Sequence, residues 1–263
     1  MSSLVTTLEE RPRVIGASKV PLTTLNFWTV KILSTAMGEA ASDYLVKHMD
    51  PILAVGLGAT GFVIALLIQF STTRYNSWSY WFLVSMIAIF GTMFADALHL
   101  FGLPLTISTV VFASLLAVIF FAWYRVEGTL SVHSIDASRR EVFYWVTVMT
   151  SFTLGTAAGD WTAVTLHLGN LLSGFVFLGL FLLPGLGFWK FGLNPIVAFW
   201  FSYVMTRPLG ASFADWIGKP TGFGGLGFGT GHLSLLLTAC IVLLVFYLSV
   251  TRRDVDRVTA PAE

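Results

Sequence analysis

Long apolar runs separated by short polar interruptions make up most of this chain. A helix that crosses a bilayer needs about 20 predominantly apolar residues. Eight stretches reach that length, at residues 26–45, 51–73, 79–98, 103–124, 142–166, 168–189, 194–217 and 232–250. Most connections between them are only a few residues long. The exceptions are a polar stretch at 125–141 and a glycine-rich one at 218–231. The pattern predicts a tail over 1–25, a transmembrane domain over 26–250 and a second tail over 251–263, with no segment large enough for a separate soluble domain.

The apolar runs conceal a repeat, the feature to seek early because missing it miscalls the fold. Four segments align without gaps: FWTVKILSTAMGEAASDYL from Phe27, YWFLVSMIAIFGTMFADAL from Tyr80, YWVTVMTSFTLGTAAGDWT from Tyr144 and FWFSYVMTRPLGASFADWI from Phe199. Each reads aromatic, Trp, nine residues, Gly, four residues, Asp. The tryptophans are Trp28, Trp81, Trp145 and Trp200, the glycines Gly38, Gly91, Gly155 and Gly210, and the aspartates Asp43, Asp96, Asp160 and Asp215. Every copy falls on an odd-numbered span, so all four cross in the same direction. The repeats, at about 26–75, 79–125, 142–190 and 194–250, are therefore parallel and related by an axis along the membrane normal. Trp lies near one interface, where it is an ordinary anchor. Asp lies about 22 Å further along the helix, in the outer third of the hydrocarbon core.

This repeat resembles a family of bacterial membrane proteins defined by a tandem repeat of unknown function, with two transmembrane segments and a characteristic tryptophan per repeat. The resemblance covers about residues 26–250. It implies an all-α, eight-helix integral membrane protein of the cell inner membrane, and it brings no biochemical activity or site residues with it.

Composition agrees with a membrane location. Hydrophobic residues make up 56% of the chain and charged residues 11%, against roughly 25% charged in soluble domains. A net charge of +1 gives no reason to expect a nucleic-acid partner. The first 25 residues lack an apolar segment of the kind a cleaved signal peptide needs. The single cysteine, Cys240, sits in an apolar run and reads as a small core residue. Lysine and arginine set orientation. Eleven of them fall on one side: Arg11, Arg13, Lys19, Arg74, Arg125, Arg139, Arg140, Lys190, Arg252, Arg253 and Arg257. Only Lys47 and Lys219 fall on the other. Both termini are then cytoplasmic, which requires an even number of spans.

The remaining charges form a pattern of their own. Positions three, seven, eleven and fifteen after each Trp share one helix face. They are Lys31, Thr35, Glu39 and Asp43 in the first repeat and Val84, Ala88, Thr92 and Asp96 in the second. In the third they are Val148, Phe152, Thr156 and Asp160, and in the fourth Tyr203, Arg207, Ala211 and Asp215. Every Lys, Arg, Asp and Glu of the odd spans lies on this stripe, and the even spans carry none. A charge at the bilayer centre costs about 2.5–3.5 kcal/mol on insertion scales. The stripes must then face one another or water, which places the odd helices inside and the even helices on the lipid-facing rim. Small residues around the repeated Gly permit close approach. Lys31 and Arg207 are expected to pair with Glu39 or an Asp, and Pro208 removes a backbone donor beside Arg207.

Five acids and two bases leave the stripe at a formal −3. Such an interior requires protonated carboxylates or bound cations. Asp43, Asp96, Asp160, Asp215, Glu39, Lys31 and Arg207 are therefore the candidate ion or proton path. Of the outer-side histidines His48, His99, His167 and His232, two follow aspartates at helical spacing: His99 after Asp96 and His167 after Asp160. Together with the four aspartates they are candidate ligands for a divalent metal. The glycine run from Gly222 to His232 lacks the ending of a phosphate loop and reads as a flexible or re-entrant connection. The leading expectation is a multi-pass transporter or exporter of a cation, divalent metals included, coupled to protons. Its partners would be the lipid bilayer and a small inorganic ion or proton. The alternatives are a membrane-embedded enzyme or sensor with an Asp/His site, and a structural membrane protein whose polar interior only specifies packing.

Overall fold

The computed structural model describes residues 18–135 and 138–255. The tail positions Arg11, Arg13 and Arg257, counted above for orientation, lie outside the described residues. Within them the chain forms eight long helices and no strand: α1 (Leu25–His48), α2 (Pro51–Ser71), α3 (Ser77–Leu100), α4 (Leu105–Glu127), α5 (Ser138–Asp160), α6 (Gly169–Phe191), α7 (Pro195–Gly218) and α8 (Thr230–Thr251). Helix starts follow ordinary capping chemistry. The side chains of Asp50, Asn76 and Asn194 accept hydrogen bonds from the first free amides of α2, α3 and α7. Pro51 and Pro195 supply the first helical residue where no amide donor is needed.

Helices α1, α3, α5 and α7 form a closed inner ring, with α1 on α3, α3 on α5, α5 on α7, and α7 back on α1. The outer helices follow a rule that respects the repeat. Each packs chiefly on the inner helix of the next repeat: α2 on α3, α4 on α5, α6 on α7, and α8 on α1. Five helices, α2, α3, α4, α6 and α8, are long and apolar enough to cross a membrane. The outer faces expose large aliphatic side chains such as Leu67, Val118, Leu183 and Leu243. Apolar cover on that scale belongs against lipid or another protein. By contrast α1, α5 and α7 carry polar groups along the face that the ring encloses.

The repeated glycine makes the ring close. A Cβ at Gly38 would collide with Ala88, one at Gly155 with Arg207 and Pro208, and one at Gly210 with Thr35 and Ala36, while at Gly91 it would come within 3.3 Å of Phe152. In all four cases the obstacle stands seven or eight residues after the tryptophan of the next repeat. The same backbone approach therefore recurs around the ring, and at Gly38, Gly155 and Gly210 only a residue without a side chain permits it.

The repeated tryptophans differ from the expectation of interfacial anchors. Trp81, Trp145 and Trp200 are buried, and Trp28 is half-buried. Each meets the aromatic residue that precedes the tryptophan of the previous repeat: Phe27 on Trp81 (5.7 Å between ring centroids), Tyr80 on Trp145 (5.4 Å), Tyr144 on Trp200 (6.0 Å) and Phe199 on Trp28 (5.6 Å). Burial of ring area and the tilted or edge-on ring geometry that aromatics favour outweigh the interfacial preference of indole here. The aromatic girdle and the glycine contacts thus join the same pairs of inner helices at two heights.

A Gly155→Leu variant should lose about 1–3 kcal/mol through overpacking against Arg207 and Pro208. Gly56→Ala and Gly179→Ala, where a Cβ meets nothing within 4 Å, should melt at or above the native temperature. Thermal denaturation of the detergent-purified variants checks both outcomes.

Candidate functional site

The ring encloses a column of polar residues that can be followed from the tryptophan end to the aspartate end. At the tryptophan end the column is shut. Lys19 Nζ donates to Glu141 Oε2 at 2.6 Å, and Gln69 Nε2 donates to Glu141 Oε1 at 3.1 Å. Ser79 Oγ in turn donates to Gln69 Oε1 at 3.0 Å. The backbone of this strap is tied as well, Lys19 to the carbonyl of Ile135 and Leu22 to that of Asp254. The Asp254 carboxylate receives Tyr75 Oη at 2.6 Å and Ser77 Oγ at 2.8 Å. The apolar pattern places Lys19 in a tail and Glu141 in a loop, yet both are buried. Their pairing across 122 residues leaves no periodic trace in the sequence. One layer further in, the hydroxyls of Tyr80 and Tyr144 hydrogen-bond each other, and Tyr203 lies beside them.

Lys31 follows, fully buried. Its Nζ stands 3.7 Å from the Phe152 ring centroid and 4.2 Å from that of Tyr203, with no hydrogen-bond acceptor. The ion pair expected for Lys31 is absent. Arg207 takes the acid instead, its Nη2 donating to Glu39 Oε2 at 2.8 Å. The same nitrogen donates to Thr156 Oγ1 at 2.9 Å and to Thr92 Oγ1, and Nη1 donates to the Thr35 carbonyl at 3.0 Å. One guanidinium on α7 is thereby bonded to α1, α3 and α5. Pro208 sits within the continuous span of α7.

The aspartates occupy the opposite end of the column. Asp215 pairs with Lys219 at 2.7 Å, and Lys219 reaches Asp43 at 3.9 Å. Asp96 and Asp160 lie within electrostatic reach of each other, of Glu39 and of Asp43, and both are half-buried. Among the described residues neither accepts a hydrogen bond. Lys219 stands just past α7. Although partial burial works against its charge, Asp215, Asp43 and Glu39 together hold it protonated well above the ordinary lysine range. The stripe spacing foretells this residue, since Lys219 follows Trp200 by nineteen positions, one helical turn beyond Asp215. Lys47 holds the corresponding place after Trp28.

Above the aspartates a cavity of about 980 Å³ opens, lined by Asp43, Lys219, Tyr44, His48 and His232 among others. One wall is the glycine-rich segment, whose conformation is fixed by hydrogen bonding. The amides of Leu226, Gly227, Phe228 and Gly229 donate to the carbonyls of Trp216, Lys219, Ile217 and Gly218. The segment therefore doubles back to satisfy the carbonyls at the end of α7. Gly225 lies so close to the Lys219 carbonyl that a Cβ there would collide with it.

The two candidate ligand histidines, His99 and His167, do not join the aspartates. His99 is exposed at the end of α3 and pairs with the Leu103 carbonyl at 3.1 Å. His167 is likewise exposed. Residues Trp161–Thr165 wind as a π-helix, and His167 then turns to a positive φ of 57°. The wider turn and the chain reversal break the helical spacing that had suggested proximity to Asp160. Among the described residues no three His, Cys, Asp or Glu side chains gather as a metal centre requires.

Four segments, residues 26–75, 79–129, 143–191 and 198–254, match the pattern described as Repeat of Unknown Function (DUF347), and together they span most of the chain. The chain belongs to the DUF347 family. No curated protein and no solved structure gives a match. Each DUF347 segment contains one inner helix and the outer helix that follows it, so the column is built from one stripe of each copy. The four copies keep their aromatic pair, glycine and aspartate and differ between them, at the heights of Lys31 and Arg207.

In this DUF347 protein Arg207→Met strands the Glu39 carboxylate in a buried site and should cost about 3–5 kcal/mol. Adding Glu39→Gln should recover part of that loss. A double-mutant cycle from thermal or denaturant unfolding measures the coupling, expected at about 0.5–3 kcal/mol.

Proposed function

We propose that this protein spans the membrane eight times and carries a small cation in exchange for, or together with, protons. The tryptophan end would face the cytoplasm and the aspartate end the outside, the orientation favoured by the lysine and arginine bias. Helices α1, α5 and α7 cross with the five more apolar ones because the ring shields their polar faces from lipid.

One observation carries this reading. The carboxylates of Asp96 and Asp160 stand at the end of the column with no hydrogen-bond donor among the described residues, beside Asp43, Asp215 and Glu39. Lys219 and Arg207 form ion pairs within the group, and Lys47 lies within electrostatic reach of Asp43. A purely structural acid would be expected to find a donor, whereas an acid awaiting a cation or proton keeps its oxygens free. Carboxylate oxygens suit hard cations. The difference between the two ends supports carriage as well: the cavity leads to Asp43 and Lys219, while the strap closes the other end.

A second reading, a structural membrane protein, is favoured by Arg207, whose bonds to three other helices would hold the bundle together without any transport. Proteoliposomes separate the two. Uptake of Na⁺ and of Mn²⁺, with internal pH followed by a trapped dye, is compared between the native protein and Asp96→Asn and Asp160→Asn. Neither substitution breaks an ion pair, so both variants should fold with native stability while losing at least about tenfold in rate, the equivalent of about 1.4 kcal/mol. If no cation moves under any gradient, or both variants match the native rate, the carrier reading fails and the structural one stands.

A further inference from the structure

We propose that Lys31 is the group that exchanges the proton. Its ammonium releases H⁺ when a cation enters the carboxylate site, and its amine takes H⁺ back when the cation leaves. The inference rests on the carrier reading above and assigns the coupling to one side chain.

The first argument is the setting of Lys31. It is fully buried, and Nζ has no acceptor. The rings of Phe152 and Tyr203 at 3.7 and 4.2 Å provide cation–π attraction. They cannot accept a hydrogen bond as a carboxylate would. The nearest charged neighbour is Arg207, of like sign and already committed to Glu39. A lysine so placed weakens the fold, and intramembrane ionisable groups kept under such conditions mark ion pathways and proton relays.

The second argument is that packing does not require it. The corresponding positions of the other repeats are Val84, Val148 and Tyr203. All of these are buried in the same ring, so an aliphatic side chain fits this height. Lys31 departs from the repeat at the one point where a titratable nitrogen lies next to the Arg207–Glu39 pair.

The third argument is charge balance. Lys31 and Glu39 are two turns apart on α1, about 12 Å by helix rise, so a unit charge on one changes cation affinity near the other by about tenfold at interior dielectric. Losing a proton from Lys31 as a cation arrives keeps the net charge of the column constant for a monovalent cation, halves the gain for a divalent one, and so lowers the cost of adding charge to a low-dielectric interior. The reaction is R–NH₃⁺ going to R–NH₂ plus H⁺, with the proton released to bulk water.

The titratable groups around Lys31 are Arg207 and Tyr203 from α7, Tyr144 from α5 and Tyr80 from α3. Of the outer helices on α1, α8 carries Cys240 and Tyr247 on this half of the bundle and α2 carries none. None of these groups is a carboxylate, and Glu39, two turns along α1, is paired with Arg207.

The test uses the full-length protein in detergent, titrated with NaCl and with MnCl₂ in a weakly buffered solution containing a pH dye, with binding followed by calorimetry. The native protein should release about one proton per cation bound. Lys31→Met should bind at least as tightly, release about one proton fewer per cation than the native protein, and melt above the native protein because an unpaired buried ammonium is gone. Lys31→Arg, permanently charged, should likewise release about one proton fewer and bind about tenfold more weakly. Either variant releasing protons as the native protein does overturns the assignment of Lys31 and leaves the carrier reading intact. A native protein that binds neither Na⁺ nor Mn²⁺ overturns both.

Discussion

A guanidinium and a carboxylate sealed inside a helix bundle each carry a desolvation penalty of several kcal/mol, and they are tolerable only when their geometry is good and the remaining donors are met. Arg207 meets that condition at its two terminal nitrogens by drawing on every repeat, while its buried Nε finds no acceptor. The arginine comes from the fourth, the carboxylate of Glu39 and the Thr35 carbonyl from the first, and the hydroxyls of Thr92 and Thr156 from the second and third. All four inner helices must be present, at one relative height, before this charge is satisfied. Sliding one helix by a turn would leave a donor or an acceptor buried without a partner. The pair therefore sets the axial register of the ring, and the glycine contacts and aromatic girdle operate within that register.

The ring also explains why the repeat could be read so far. A motif of aromatic, Trp, Gly and Asp at fixed spacing, with charges confined to alternate helices, gives four equivalent units and an inner and an outer set. Which side chains touch is a different matter, because spacing gives height and face but not the neighbour. The tryptophans sit at a height that suits an interface, and the sequence contains nothing to say that the aromatic one residue earlier in the preceding repeat would cover them. That the aromatic recurs in all four copies was the available hint. Lys219 was legible as a continuation of the stripe by one turn, but it falls where the apolar run ends and was counted with the loop charges. The Lys19–Glu141 pair joins a segment before α1 to the first turn of α5, ahead of the repeated motif, so no internal comparison could reveal it. His167 failed for a local reason, since a π-helical turn changes the register that the spacing argument assumed.

The two ends of the column therefore have different origins. Aromatic and aspartate layers recur in each repeat and are close to fourfold. The closure at the tryptophan end ties unrepeated segments, the strap from residue 18, Ile135 before α5 and Asp254 after α8, to the near ends of α2, α3 and α5. The cavity at the aspartate end likewise depends on an unrepeated element, the glycine-rich return that caps α7. The repeated units make the column, and the single-copy segments decide how each end meets its surroundings. On the proposed reading, any change of access between the two sides would involve these single-copy segments more than the ring.

The departures from symmetry within the ring are themselves informative. At three positions after Trp the copies read Lys31, Val84, Val148 and Tyr203, and at seven they read Thr35, Ala88, Phe152 and Arg207. A ring with four identical charges at either height would place like charges together at the axis and could not fold. A ring with none would have no counter-charge for Glu39. The chain places a single arginine and a single lysine at adjacent heights on different helices and fills the neighbouring places with Phe152 and Tyr203, whose faces receive the lysine. Duplication supplies a scaffold that repeats its packing contacts four times, and divergence at these two heights supplies the one place where charge can be gained or lost without disturbing them.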